Sequence, residues 1–197
     1  MESPERRAIR SRQRKATRAS GVKRAPGDLE VVRAFVSTVA RGKRADELAS
    51  LGRLARWLVR YGLLDPGVAL VEAQRQIAFD LRRGLRGLLL ANSGVEPEAR
   101  ALERFEEAAA GGRLGLRFEA GVPVGLAPAS GCFEDGLGTI ASIVLVARLD
   151  GRWPKLKLCH APDCGNAFFD VAPNLTGKWC TTRCGERYRA AARRKRR

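Results

Sequence analysis

Two short runs, Cys159-His160-Ala161-Pro162-Asp163-Cys164-Gly165 and Trp179-Cys180-Thr181-Thr182-Arg183-Cys184-Gly185, decide how the C-terminal part of this chain folds. Their cysteines follow C-x4-C-x15-C-x3-C. Four thiols in two close pairs make a structural-zinc pattern, because the ion takes a closed tetrahedron of thiolates when its task is to fold the chain. The Pro162-Asp163 turn is expected to bring the first two sulfurs together. Gly165 then lets the backbone double back without a Cβ in the way. Thr181 or Thr182 can cap a helix whose first turn holds Cys184, where the positive end of the dipole favours thiolate. Between the pairs, Ala167-Phe168-Phe169-Asp170-Val171 predicts a strand, residues 172–177 a turn, and Lys178-Trp179 the returning strand. Knuckle, hairpin and ligand-bearing helix together make a treble-clef arrangement. Phe168 or Phe169, with Trp179 and Tyr188, supplies its small core. A unit of this size buries too little apolar surface to fold without metal.

Other readings of these thiols carry less. Disulfides do not suit a reducing cytosol. A catalytic zinc keeps an open coordination position, which four thiolates fill. A redox switch on the same thiols stays open as an alternative. His160, the single histidine, adjoins a ligand and reads as a surface residue or a partner of the ligands. Cys132 lies outside the pattern and reads as a buried or half-buried free thiol.

The helix that follows Cys184 is rich in alanine and arginine. Arg183, Arg187, Arg189, Arg193, Arg194, Lys195, Arg196 and Arg197, with Lys178 before them, are the candidate nucleic-acid contacts. Guanidinium forks match phosphate oxygens and guanine edges alike. A helix end welcomes a few cations at its negative pole, and this run exceeds that need. DNA is therefore the expected partner and structured RNA the alternative. A third reading makes the module a protein-interaction surface. Few aromatic side chains accompany the charge, which disfavours single-stranded RNA.

At these residues the tail resembles the CGNR zinc finger, the C-terminal module of a family described as bacterial transcription regulators. The matching pieces are Cys159, Cys164-Gly165, Phe168 with Asp170, Trp179-Cys180, and Cys184-Gly185-x-Arg187, spread over about 40 residues. The resemblance implies one structural Zn2+ on Cys159, Cys164, Cys180 and Cys184. It implies DNA contact through Arg187 and the basic residues after it. Glu186 stands where that family has asparagine, and a carboxylate facing DNA would repel phosphate. The preceding region resembles the ABATE domain found ahead of such fingers, through Val36-Ser37-Thr38 and Leu54-Ala55-Arg56-Trp57-Leu58. That likeness implies a sensing or associating domain.

Working back from the finger, the sequence predicts a mostly helical fold with one β-hairpin. A first helix follows Asp28, with Leu29, Val32, Phe35, Val36 and Val39 on one stripe. A second begins near Ser50 and carries Leu51, Leu54, Leu58 and Tyr61. A third is expected to start at Asp65-Pro66 and run to Leu90. A fourth opens at Pro97. Leu114, Leu116 and Phe118 alternate with Gly115, Arg117 and Glu119 as in a half-buried strand, with residues 122–126 returning. A last helix spans about 134–149. Three regions result: a basic arm over 1–26, a helical domain over 27–151 and the finger over 152–197.

The chain has 197 residues, 45% of them hydrophobic, and a net charge of +16. Residues 1–25 hold nine Lys/Arg against two Glu, and residues 183–197 hold eight against one, so each end carries +7. The charge sits at the ends, where a polyanion would meet it. The N-terminal run has a second reading as a solubilising tail. No apolar run reaches the roughly 20 residues of a membrane span, and no signal peptide is evident, so a cytoplasmic location is expected, on the bacterial nucleoid if the family resemblance holds. One histidine, no P-loop and no dinucleotide glycine fingerprint leave no acid, base and nucleophile to assemble, and no enzyme is expected. The helical domain is open to a small ligand or to homodimerisation.

Overall fold

The computed structural model of the protein describes residues 21–39, 45–161 and 163–194, with only the backbone at 119, 123 and 124. Six α-helices lie within them, in the order α1 (Leu29–Val36), α2 (Leu51–Arg60), α3 (Glu72–Ala91), α4 (Ala99–Ala109), α5 (Phe133–Leu149) and α6 (Thr182–Arg194). A hairpin of β1 (Leu114–Glu119) and β2 (Val122–Pro128) separates α4 from α5, and a second pair, β3 (Leu156–Leu158) and β4 (Ala167–Phe169), precedes α6. The mostly helical fold with a hairpin and a C-terminal cysteine finger is as the sequence predicts. Most of the N-terminal arm lies outside the described residues, as do Pro162 of the expected turn and Lys195, Arg196 and Arg197.

Four residues of the expected stripe, Leu29, Val32, Phe35 and Val36, lie in α1 with no exposed surface, whereas the helix ends at Val36 and the fifth, Val39, falls beyond it and is half-buried. Ser50 caps α2 through its side chain, which accepts the N–H of Arg53. Trp57 of α2 lies against Phe35 on one side and stacks on Tyr61 on the other, with ring centroids 5.2 and 4.3 Å away. Leu81, Leu85 and Leu89 of α3 and Phe133, Leu137 and Ile140 of α5 complete the interior.

Three expectations are corrected. Asp65-Pro66 does not open α3, which starts seven residues after Asp65, at Glu72. Gly67 takes φ +89°, the Asp65 N–H is spent on the Gly131 carbonyl at 2.9 Å, and buried Leu63, Leu64 and Leu70 tie down the turn. The alternation in β1 is real, yet its apolar side faces outward: Leu116 is 65% and Phe118 56% exposed. Arg117, on the opposite face, donates to Asp28 at 3.2 Å. Finally, Ala167–Phe169 pairs with Leu156–Leu158 and not with Lys178-Trp179. Leu156 and Leu158 are buried in the helical core, which places β3 where β4 must join it. Lys178 gives only its carbonyl, to the His160 N–H at 3.0 Å.

The finger and the helices share one interior. Trp153, Leu156, Leu158, Ala167 and Phe169 belong to the same buried cluster as α1, α3 and α5. Polar ties reinforce the seam. Arg33, paired with Glu30 at 2.8 Å, also donates to the Ala167 carbonyl at 3.2 Å. Ser37 Oγ accepts the Ala167 N–H at 3.0 Å. Arg86 donates to the carbonyls of Val36 and Gly165, and Asn92 to those of Trp153 and Leu156.

Candidate metal centre and basic surface

The two knuckles are built by local backbone geometry. The Cys164 N–H bonds the Ala161 carbonyl at 3.0 Å, closing the first turn, and Gly165 sits at φ +63°. Backbone in that left-handed region strains any residue with a Cβ, as the sequence suggests for this position. The Cys159 N–H bonds the Asn166 carbonyl at 2.8 Å, which folds the chain back over the turn. In the second knuckle Thr181 Oγ1 accepts the Cys184 N–H at 3.2 Å, so Thr181 caps α6 and Cys184 lies in its first turn.

These turns bring all four predicted sulfurs together. Cys159, Cys164, Cys180 and Cys184 are buried, and their Sγ atoms lie within 4.8 Å of one another. Three of the separations are 3.5 Å (Cys164 to Cys180), 3.7 Å (Cys180 to Cys184) and 3.7 Å (Cys184 to Cys164). Sulfurs about 2.3 Å from a central zinc form a tetrahedron with edges of about 3.8 Å, so the cluster has the size of a thiolate metal site. N–H groups point at the sulfurs: Asn166 Nδ2 toward Cys164 and Cys180, and the Cys180 amide toward Cys159. Such donors favour thiolate. The thiols also press on one another. Cys164 is drawn far below its usual value by hydrogen bonds from Cys159 and Cys180; Cys159 is pushed up by its bond to Cys164, and Cys180 by its bonds first to Cys159 and then to Cys164. A cation at the centre lets all four ionise together.

His160 is exposed and outside this ligand group. Its ring meets Trp179 edge-on at 6.1 Å, and partial desolvation against the neighbouring chain, then the charges of Lys178 and Lys157, hold its pKa below the ordinary value. Cys132 is a half-buried free thiol before α5.

Around the sulfurs, Phe168 is fully buried, and Val22 and Trp179 pack on the cluster. Trp179 lies over Tyr188 with centroids 4.7 Å apart, so Tyr188 covers the indole while staying 46% exposed. Gly185 is a close-approach glycine, since a Cβ there would meet the Trp179 ring at 2.9 Å. Sequence reasoning missed the buried pair of Lys157 and Asp170, 3.0 Å apart. Asp170 also accepts the N–H groups of Ala172 (3.0 Å) and Gly177 (2.8 Å), and Lys157 reaches the Leu175 carbonyl. Burial alone would raise the Asp170 pKa, but those N–H groups and the ammonium bring it below the usual carboxylate value. The pair shapes the loop between β4 and the second knuckle. Leu-Lys-Leu alternation reads as an exposed lysine, so the sequence carries no local signal for this pair.

Lys178, Arg183, Arg187, Arg189, Arg193 and Arg194 are all exposed. Arg187 is not free, because its guanidinium pairs with Asp163 of the first knuckle and ties α6 across the metal site. The other five stand on or beside α6 facing solvent. No helix among the described residues is long and apolar enough to cross a membrane.

With this geometry in hand, two family models match the chain. ABATE, described as "putative stress-induced transcription regulator", matches residues 29–142, more than half of the protein. The chain belongs to the ABATE family. The CGNR zinc finger model matches residues 155–197, the segment holding all four cysteines and α6. Among curated proteins none matches the chain. The ABATE match ends inside α5, and the CGNR match begins just before β3, so the shared core joins the two matched regions.

Proposed function

We propose that this protein is a zinc-dependent, DNA-binding transcription regulator of bacteria, acting in the cytoplasm, with α6 laid against the duplex. The observation that carries the reading is the seating of α6. Its first turn is fixed by Cys184 and by the Thr181 cap, the exposed Arg187–Asp163 pair adds a tie one turn on, and Arg183, Arg189, Arg193 and Arg194 remain exposed along it. Zinc is the metal of choice for four thiolates in a tetrahedron of this size, and bound there it supplies the charge that holds both knuckles together. The protein's own residues then orient a cationic rod without losing affinity to disorder. The helical domain senses a signal or associates with a partner, a second copy included. No catalytic residue is assigned.

Selection of bound duplexes from a random pool, followed by footprinting with and without zinc, tests the reading. Holo protein should protect a defined site, and affinity should fall steeply with salt because neutralised phosphates release counterions. Cys180→Ser should lose both metal and specific protection. Equal footprints from zinc-free and zinc-loaded protein would sink the proposal. One feature favours the RNA alternative: Tyr188 and His160 are exposed rings resting against the half-buried Trp179 near the arginines, and such rings can stack on unpaired bases. Tighter binding to structured RNA than to any duplex at equal salt would decide for it.

A further inference from the structure

Residues 22–25 precede both matched regions, yet they are built into the finger. The Lys23 N–H donates to the Cys180 carbonyl at 3.3 Å, and the Lys23 carbonyl accepts the Phe169 N–H at 3.2 Å. Lys23 therefore stands between β4 and the second knuckle, where the sequence predicts Lys178-Trp179 to return as a strand. Val22 packs on the thiol cluster, as Trp179 does. The Lys23 ammonium lies 5.6 Å from the centroid of the buried Phe168 ring. The other end of the segment belongs to the helical domain. Ala25 is part of the helical core, and Glu30 accepts its N–H at 2.9 Å and pairs with Arg24 at 3.2 Å.

We propose that Val22–Ala25 is a strap of the metal centre, clamping the second knuckle to β4 and setting how fast the cation leaves. The inference rests on the reading of the four cysteines as a metal site, and it adds a part of that site that neither family match covers. Release of a thiolate-bound cation begins when a knuckle opens and water or a competing ligand reaches a sulfur. The first knuckle is backed by the helical domain, because the Gly165 carbonyl accepts from Arg86 and the Ala167 N–H is bonded to Ser37. The second knuckle is held differently. Its backbone meets the first through the Lys178 carbonyl, which accepts the His160 N–H, and meets β4 through Lys23. Lifting Cys180 from the cluster therefore breaks the Lys23 bond and uncovers the face on which Val22 lies. The strap cannot simply follow the knuckle outward. Ala25 is anchored in the helical core, and the three residues from there to Val22 span at most about 11 Å when fully extended. A segment fixed at one end by the helices and at the other by the thiol cluster thus resists the opening that frees the metal.

The experiment follows transfer of zinc from the full-length loaded protein to an excess of chromophoric chelator, well below the melting transition. Lys23→Pro removes the N–H that Cys180 accepts, and Val22→Ala trims the apolar contact. Lys23→Gln keeps the backbone bonds and removes the ammonium. Leu137→Ala weakens the helical core away from the cluster. Release should quicken about five- to tenfold in Lys23→Pro, the worth of one backbone hydrogen bond with a buried acceptor left unpaired. Val22→Ala should quicken it less, and both should still bind one equivalent of zinc. Lys23→Gln should release at close to the wild-type rate, and Leu137→Ala should melt earlier without releasing faster. Hydrogen exchange on the wild-type protein gives a second reading that needs no variant. The Lys23 and Phe169 amides should be protected with zinc bound and exchange faster in chelator. Wild-type release rates from Lys23→Pro and Val22→Ala, or a Lys23 amide that exchanges like open chain with zinc bound, overturn the strap and leave the metal site standing. Equal acceleration by Leu137→Ala overturns it too, because release would then run through general unfolding. Wild-type protein that takes up no metal under reducing conditions removes the reading of the cluster and the strap with it.

Discussion

At the level of single side chains, the C-G-E-R run makes separate demands at each position. Cys184 is a candidate ligand, Gly185 clears space for the Trp179 indole, Arg187 reaches back to Asp163, and Glu186 faces solvent. Gly185→Val should push Trp179 off the cluster and away from Tyr188. The check is a red-shifted Trp179 emission with weakened metal retention, measured with the other two tryptophans replaced by Phe. Glu186→Gln should tighten binding to the selected duplex about fivefold at low salt, since a unit charge about 4 Å from a phosphate in water is worth about 1 kcal/mol. An unchanged affinity would show that this position faces away from the DNA. Asp170→Ala strands the Lys157 ammonium in the interior and frees the Ala172 and Gly177 amides. The expected loss is about 3–5 kcal/mol of stability, read from urea unfolding of the zinc-loaded protein.

Among the elements, those whose residues declare their own partners were legible in the sequence. The stripe of α1 as far as Val36, the helix start near Ser50 and the paired cysteines each specify a local geometry, and the structure has them. What depends on distant partners was not legible. Residues 156–158 become a strand because the helical core takes Leu156 and Leu158, a fact no short-range pattern in Leu-Lys-Leu contains. Asp65-Pro66 has the chemistry of a helix start, and the Gly131 carbonyl claims it for a turn. The alternation in β1 gave the strand but not which face looks inward, because what meets that face, Asp28 against Arg117 among it, lies far away in sequence. Asp135 is the counterpart among the carboxylates, an acid on α5 that holds the start of β1. The Arg113 N–H and then the Ser130 hydroxyl bring its pKa from 3.8 to about 2. A folded value below the unfolded one means that its stabilisation is complete above about pH 4 and fades as pH falls toward about 2. Asp135→Asn should lower the melting temperature at pH 7 and flatten the acid limb of the stability profile. A variant whose profile parallels the wild type would show that the carboxylate holds nothing.

For the molecule as a whole, the consequential feature is that the four-cysteine cluster and the helical domain are built on common strands. β3 and β4 turn Leu156, Leu158, Ala167 and Phe169 into the helical core while Phe168, Cys159 and Cys164 face the thiol cluster. Removing the cation leaves four crowded thiols to be reprotonated or driven apart, and the knuckles cannot open without moving β4. Arg33, Ser37 and Arg86 carry that movement into α1 and α3 through their bonds to Ala167 and Gly165. Whatever binds the folded state alone stabilises it by RT ln(1 + [L]/Kd), about 4 kcal/mol at a thousandfold excess over Kd. Chelation should therefore lower the melting temperature of the helices as well as of the finger. Single-tryptophan variants read the two regions separately, Trp57 inside the helical core and Trp179 at the cluster. Both should melt together in zinc and shift down together in chelator. A Trp57 transition that ignores chelator while Trp179 unfolds would show that the shared strands do not couple the regions. Arg86→Ala gives the intermediate case: with the Gly165 tie gone, the two transitions should begin to separate in chelator while still coinciding in zinc.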